Sequence, residues 1–385
     1  MGSIQVAKRP PFWRDVKTLS WLFQLAVLAF FVAIIGVLFN NVRVNSANQG
    51  IPVGFDFLDQ PAGFPIPAND FRTSQPVRQA IVEGVLNTLR VVLVGIALAT
   101  VIGVAVGIGR LSGNWLVRTF TLVYVEAIRN VPLLGLVIFS YLAIALAIFP
   151  RVDDSWIIDG LTVANGRGIS VPWFSGSGLR FLAVLIVAAV VGYLVRAWRI
   201  RVMDATGAPT RLLFWMVPPV LATIVIGALL TSISVTSPVL AERQVSGGIT
   251  MQPEYFALLA ALTIYTSSHI AEIFRGSIQA VPKGQGEAAT AMALSGWQRM
   301  RYVILPQSLR IALPPLGNQY INLLKNSSLG LAISYFDLTK VISTSIGNRS
   351  PAIPAFVVLI VIYLIGSLSI SAVINFFNRR LAIER

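Results

Sequence analysis

Of 385 residues, 55% are hydrophobic and only 12% charged, against about a quarter charged in ordinary soluble domains. With a mean hydropathy of +0.75, that balance excludes a water-soluble globular chain and places the sequence in a membrane. The net charge of +14 then reads as Lys and Arg gathered at cytoplasmic helix ends and not as a nucleic-acid surface, and the absence of cysteine removes disulfides, thiol catalysis and cysteine metal sites.

Lys8, Arg9, Arg14 and Lys17 precede an apolar run from Trp21 to Phe39, with no clean small-residue cleavage site behind it. This is the pattern of an uncleaved first span that starts in the cytoplasm, long enough to cross about 30 Å of hydrocarbon. Val42 to Arg78, rich in Gly, Pro, Asn and Asp, reads as an external irregular or interfacial segment. A second span, 85–109, ends at Arg110 with Arg118 close behind. A third begins near Phe120, is interrupted by Glu126-Ala127-Ile128-Arg129-Asn130-Val131-Pro132, and resumes from Leu133 to Phe149.

Pro150 to Gly178 carries Asp153, Asp154 and Asp159 and suits an external loop. Spans four (179–195) and five (212–230) enclose Arg196, Arg199, Arg201 and Arg211. A Ser/Thr-rich external loop leads to span six (255–274), closed by Arg275. A basic loop with Lys283, Arg299, Arg301 and Arg310 follows, then a broken seventh traverse (311–346) and an eighth span (356–377) ahead of Arg379, Arg380 and Arg385. Basic residues thus accumulate at every second turn, as the positive-inside rule requires for eight spans with both termini cytoplasmic. No internal repeat is visible, which disfavours a transporter made of two similar halves.

The loop at 276–308 must be solvated, yet EAATAMAL is a run of strong helix formers broken by SGW, so two short helices are expected, the second from about Gln298 and ending before Pro306. Glu287-Ala288-Ala289, small residues and then Val303-Ile304-Leu305-Pro306 resemble the EAA loop of ABC-importer permeases. The flanking text SSHIAEIFRGSIQAVPKGQGEAA and VILPQSLRIALPPLGNQYINLLKNSSL, with YVEAIRNVPLLGLVIF and Asn87-Thr88-Leu89, is similar to the polar-amino-acid branch of that family over roughly 80–150 and 250–385. Two departures stand out: Ala293 replaces the usual glycine, with Ser295-Gly296 supplying a flexible pair slightly later, and Val303 replaces an isoleucine.

The resemblance implies an all-α, type I ABC-importer permease with a five-span core, here spans two, three, six, seven and eight. The chain then divides into a tail, first helix and external segment (1–79), a first core part (80–150), an inserted loop and helix pair (151–250) and a second core part (251–385). The added helices make the Q-type permease of general L-amino-acid (glutamate/glutamine/aspartate/asparagine) importers the nearest likeness. It also implies a transport subunit and not an enzyme, in a bacterial inner membrane, with no cofactor of its own and ATP and Mg on a separate ATPase pair. Its other partners would be a related, non-identical permease, a periplasmic binding protein delivering an L-amino acid, and lipid, with no nucleic acid. The coupling residues carried over are Gly286, Glu287, Ala288, Ala289, Ala293, Ser295, Gly296, Leu305 and Pro306.

Polar residues at membrane depth are the candidates for the substrate path. Glu126 and Arg129, three apart on one helical face, either satisfy each other beside the Pro132 break or face the path. His269, the single histidine, with Ser268 and Glu272 nearby, reads as a buried hydrogen-bonding residue or as part of a cavity wall; without companions it is not a metal ligand. Asn318, Asn322 and Asn326 fall at i, i+4 and i+8 with Gln319 and Lys325 beside them, either lining a pore or joining helices. The chain has no P-loop string, nucleophile elbow, zinc signature or dinucleotide fingerprint. The alternative function is an ion-coupled amino-acid symporter acting without an ATPase, which would need intramembrane carboxylates for its ion.

Overall fold

The computed structural model describes residues 16–50, 52–67, 71–175, 178–207, 211–230, 234–241 and 244–381; Lys8, Arg9, Arg14 and Arg385 of the basic clusters fall outside the described residues. Helix α1 (Val16–Asn48) precedes the core. Helices α2 (Val77–Gly109) and α7 (Pro253–Gln279) pack along each other more extensively than any other two elements. Their contact is built from small residues: Gly95, Ala99, Gly103 and Gly107 recur every fourth position on the buried face of α2. A methyl group on Gly103 would lie 2.6 Å from the Ile270 side chain and 2.9 Å from the Ser267 carbonyl, and one on Gly107 2.7 Å from the Ala271 carbonyl. In lipid, where apolar surface gains little by leaving the solvent, such close backbone approach is what holds helices together.

Around this pair stand α4 (Leu133–Tyr141), α10 (Leu305–Asn326), α11 (Leu338–Gly347) and α12 (Ala352–Leu381). The segment expected to be irregular after the first span is in part a packed lid: Phe57, Phe64, Ile66 and Phe71 are buried against α2, α11 and α12. Among the described residues, six helices are long and apolar enough to cross a membrane, and the pair α3 (Trp115–Arg129) and α4, bent by 102°, counted as one span makes a seventh. This traverse begins earlier than Phe120 because Asn114 caps it, accepting from the Leu116 and Val117 N–H groups. It breaks where Asn130 turns its amide back to the Glu126 carbonyl (2.7 Å) and Pro132 disfavours helix before it. The seventh sequence-predicted traverse is also broken, passing from α10 through a 3-10 stretch at Ser327–Ile333 and left-handed Ser334 to α11.

In the inserted region, α5 (Gly178–Thr206) and α6 (Leu212–Leu230) pack chiefly on each other, with the Arg199 guanidinium 4.9 Å from the Trp215 ring and 5.6 Å from that of Trp198. The flanking segments, read from sequence as external loops, contain short antiparallel strands. Before α5 come β1 (Trp156–Ile158), β2 (Thr162–Asn165), β3 (Gly168–Val171) and β4 (Trp173–Ser175). After α6 come β5 (Ser234–Thr236), β6 (Val239–Ala241), β7 (Gln244–Ser246) and β8 (Ile249–Met251). They form a sheet of order β1-β2-β3-β8 and two ribbons, β4-β5 and β6-β7, small additions to a chain that is otherwise helical, as expected. Strands of only three or four residues, two of their pairings (β3-β8 and β4-β5) spanning roughly sixty positions or more, leave no periodic trace in a sequence.

Candidate functional site

The segment between α7 and α10 is a compact knob. Its first helix, α8 (Lys283–Ala291), ends in a Schellman turn: Leu294 N–H donates to the Ala289 carbonyl (3.1 Å) and Ala293 N–H to that of Thr290 (2.9 Å). Ala293 takes the left-handed conformation, φ +58°, which costs an L-residue with a Cβ but not glycine. The expected flexible Ser295-Gly296 pair is instead a helix start. Ser295 caps α9 (Gly296–Arg299) in a capping box with Gln298: the Gln298 side chain accepts from the Ser295 N–H (2.9 Å) and the Ser295 hydroxyl from the Gln298 N–H (3.3 Å).

Nor does the second helix stop before Pro306. It runs through a π-helical turn, Met300–Ile304, straight into α10, where proline stands in the first turn. The wider turn relieves the clash a proline ring would otherwise make with the carbonyl four residues earlier. Arg299 Nη1 bonds Thr290 Oγ1 (3.1 Å) and Gln307 Nε2 bonds Gln285 Oε1 (3.2 Å), tying α8 to α9 and to the start of α10. Ala289 and Val281 are buried; Gly286 and Leu305 are half-buried; Glu287, Ala288, Ala293, Ser295, Gly296 and Pro306 are exposed. So are the large side chains of Met292, Trp297 and Tyr302.

Where α2, α3 and α7 meet, a charge cluster forms, but with different partners from those the spacing suggests. Glu126 does not pair with Arg129; its carboxylate lies 4.0 Å from Arg110, the residue that closes α2. Arg110 donates chiefly to Glu272, and Arg275 Nε reaches both Glu272 oxygens at 3.2 Å. Arg275 also bonds Gln279 (2.6 Å), toward the knob. An i,i+3 pair on an exposed face is worth only tenths of a kcal/mol, so a cation brought by another helix outcompetes it.

Arg129 itself is exposed. Ser268 is completely buried, its hydroxyl spent on the Tyr265 carbonyl (2.6 Å), and so faces no cavity of this chain. The His269 ring sits 4.7 Å from that of Tyr265, with a buried Nε2 that has no hydrogen-bond partner among the described residues.

On α10, Asn318, Asn322 and Lys325 are exposed on one face of the single chain, and Gln319 and Asn326 are half-buried. Asn87 and Thr88, named above only as part of the family likeness, belong to a polar set with a structural role. Asn87 Nδ2 bonds the Phe336 carbonyl (2.9 Å), Tyr335 hydroxyl the Asn87 carbonyl (3.0 Å), and Leu338 N–H the Thr88 hydroxyl (3.1 Å). Together they brace the break after α10 against α2. The available signal was two polar residues adjoining in an apolar helix. Among the described residues no group of His, Asp and Glu could hold a metal ion.

Known proteins resemble this chain over most of its length. Residues 191–383 match the family described as binding-protein-dependent transport system inner membrane component, and the chain belongs to that family. It is 36% identical to the general L-amino acid transport system permease protein AapQ of Rhizobium johnstonii, over 96% of this chain and 94% of that one. It is 37% identical to the putative amino-acid ABC transporter permease protein YhdX of Escherichia coli, over 94% of each. With the glutamate/glutamine/aspartate/asparagine transport system permease protein BztB of Rhodobacter capsulatus the identity is 34%, over 96% and 95%.

Proposed function

We propose that this chain is one permease subunit of an ATP-driven importer of L-amino acids, supplying half of the translocation path and receiving its motion through the knob at 276–308. The observation that carries the reading is the knob itself: a polar segment locked by a Schellman turn and a capping box, yet presenting Met292, Trp297 and Tyr302 to solvent. A rigid element with solvent-exposed apolar side chains suits insertion into a cleft of a soluble ATPase, and its direct continuation into α10 suits transmission of force. Gly286, Glu287, Ala288, Ala289, Ala293, Ser295, Gly296, Leu305 and Pro306 are the coupling residues. ATP and Mg are held by the ATPase chains.

The amides of α10 support a second permease across the path. Exposed Asn318 and Asn322 find no partner in lipid, so they face water or another chain; the second permease is a related but non-identical one. With Gln319, Lys325, Asn326, Glu126, Arg129, His269 and Glu272 they make up the substrate path, while Ser268 contributes packing. The names of the relatives support L-amino acids as cargo, delivered by an external binding protein. The basic turns support an inner-membrane orientation with both termini cytoplasmic, and a division into 1–79, 80–150, an inserted 151–250 and 251–385.

The test is gentle purification through a tag on this chain. A stoichiometric P-loop ATPase, stimulated by a loaded binding protein, is expected, and Glu287→Lys should abolish that stimulation and uptake while leaving the chain in the membrane. A chain that purified alone and took up amino acid under an ion gradient without ATP would replace this reading with a symporter.

A further inference from the structure

Between the inserted sheet and the start of α7 lies a groove of about 410 Å³, lined by Asn165, Arg167, Ser170, Thr250, Gln252 and Glu254, among others. Its neutral groups are largely committed. Asn165 and Ser170 are almost wholly buried; Asn165 Nδ2 bonds Ser155 Oγ (3.0 Å), its Oδ1 accepts from the Arg167 N–H (2.9 Å), and the Ser170 and Thr250 hydroxyls meet at 2.8 Å. They form a rigid polar floor. The two charged groups are less committed: the Arg167 guanidinium has no side-chain partner among the described residues, and Glu254 accepts only a long bond from the Tyr141 hydroxyl (3.4 Å). One groove thus offers a cation and an anion that do not bridge each other.

A ligand that satisfies both must carry a carboxylate and an ammonium, and so no net charge at that end. We infer that this groove is an extracytoplasmic receiving site for the zwitterionic head of a free α-amino acid, the carboxylate taken by Arg167 and the ammonium by Glu254. The guanidinium fork matches a carboxylate in two parallel bonds. Gln252 lines the same groove and suits a polar side chain of the ligand. Because Arg167 comes from the inserted region and Glu254 from the core helix α7, the site exists only where the insertion is present, which gives the insertion a task. The inference rests on the import reading above and lies apart from the intramembrane path.

The chain has no cysteine, so Val245→Cys, on an apolar lining residue of the groove, supplies a single thiol in this chain. The purified complex in nanodiscs, without nucleotide or binding protein, is treated with a charged thiol reagent, and the labelling rate of this chain is read by mass. L-glutamine at 10 mM should slow labelling about tenfold for a site of about 1 mM affinity, while glutaramate, the same molecule without its α-amine, should not. Adding Arg167→Gln or Glu254→Gln should each abolish the protection. Labelling unaffected by L-glutamine, or protection surviving both charge substitutions, would overturn the site. Labelling needs no transport, so ATP-driven uptake by the same preparation is scored separately: uptake without protection leaves the importer standing and removes the groove, and protection without uptake does the reverse.

Discussion

Ala293 concentrates the chemistry of the knob in one methyl group. Its left-handed backbone costs an L-residue with a Cβ about 1 kcal/mol, so Ala293→Gly should steady the turn and Ala293→Val, β-branched, should loosen it. Limited proteolysis between Lys283 and Ile304 reads this directly, since cleavage follows the population of the open form. The glycine substitution should slow cutting roughly fivefold, and valine should accelerate it. The sequence flags Ala293 as a departure from a family pattern but cannot reveal its dihedral angle. By contrast, the capping box was legible: Ser295 followed by Gln298 is the S-x-x-Q signature, although the Ser-Gly pair suggested flexibility instead. Pro306 misled for a related reason. A proline in a helical pattern usually marks an end, and only the π-helical turn before it lets the helix continue.

Between elements, close packing and charge pairing make separate predictions. Gly103→Ala forces a methyl group against Ile270 and the Ser267 carbonyl and should cost about 1–3 kcal/mol as overpacking. Gly113→Ala, with open space around it, should be neutral. The surviving monodisperse fraction after heating in detergent distinguishes them. In the charge cluster, Glu272→Gln should destabilise more than Arg110→Gln, because it strips the anion from two guanidinium groups whereas the latter leaves Glu272 its Arg275 partner. Combining the two substitutions should cost less than the sum of the single ones. This cluster also marks where sequence reading ends. Spans and their order follow from hydropathy, and the first break from Pro132; the second, at 327–334, carries no proline and is held by contacts with α2. Which of several cations reaches a carboxylate depends on helix crossings that no local spacing encodes, and the Arg110 partner arrives from 162 positions away.

For the whole assembly, the α10 face decides what surrounds the chain. Asn322→Leu should lower uptake several-fold while the co-purifying subunits remain in place. Loss of those subunits instead would assign the amide to the contact between permeases. The face was legible as a stripe of amides at i, i+4 and i+8; its exposure was not, since that depends on α7 and α12 occupying the opposite side.

The pairing of Ser175 with Ser234 across β4 and β5 makes residues 176–233 a closed excursion: the chain leaves and returns at adjacent points of one ribbon. Ends already held side by side can be rejoined at little entropic cost, and an Asn-Gly pair makes the tight reversal such a ribbon accepts. The excised stretch carries α5 and α6, an even number of crossings, so everything after it would keep its side of the membrane. The helical hairpin is therefore a cassette, removable by genetic surgery without inverting its host. A shortened chain joined Ser175-Asn-Gly-Ser234 should still insert, still keep its knob on the same side of the membrane as in the full chain and still retain Arg167 and Glu254, leaving the hairpin's own contribution to be measured by subtraction.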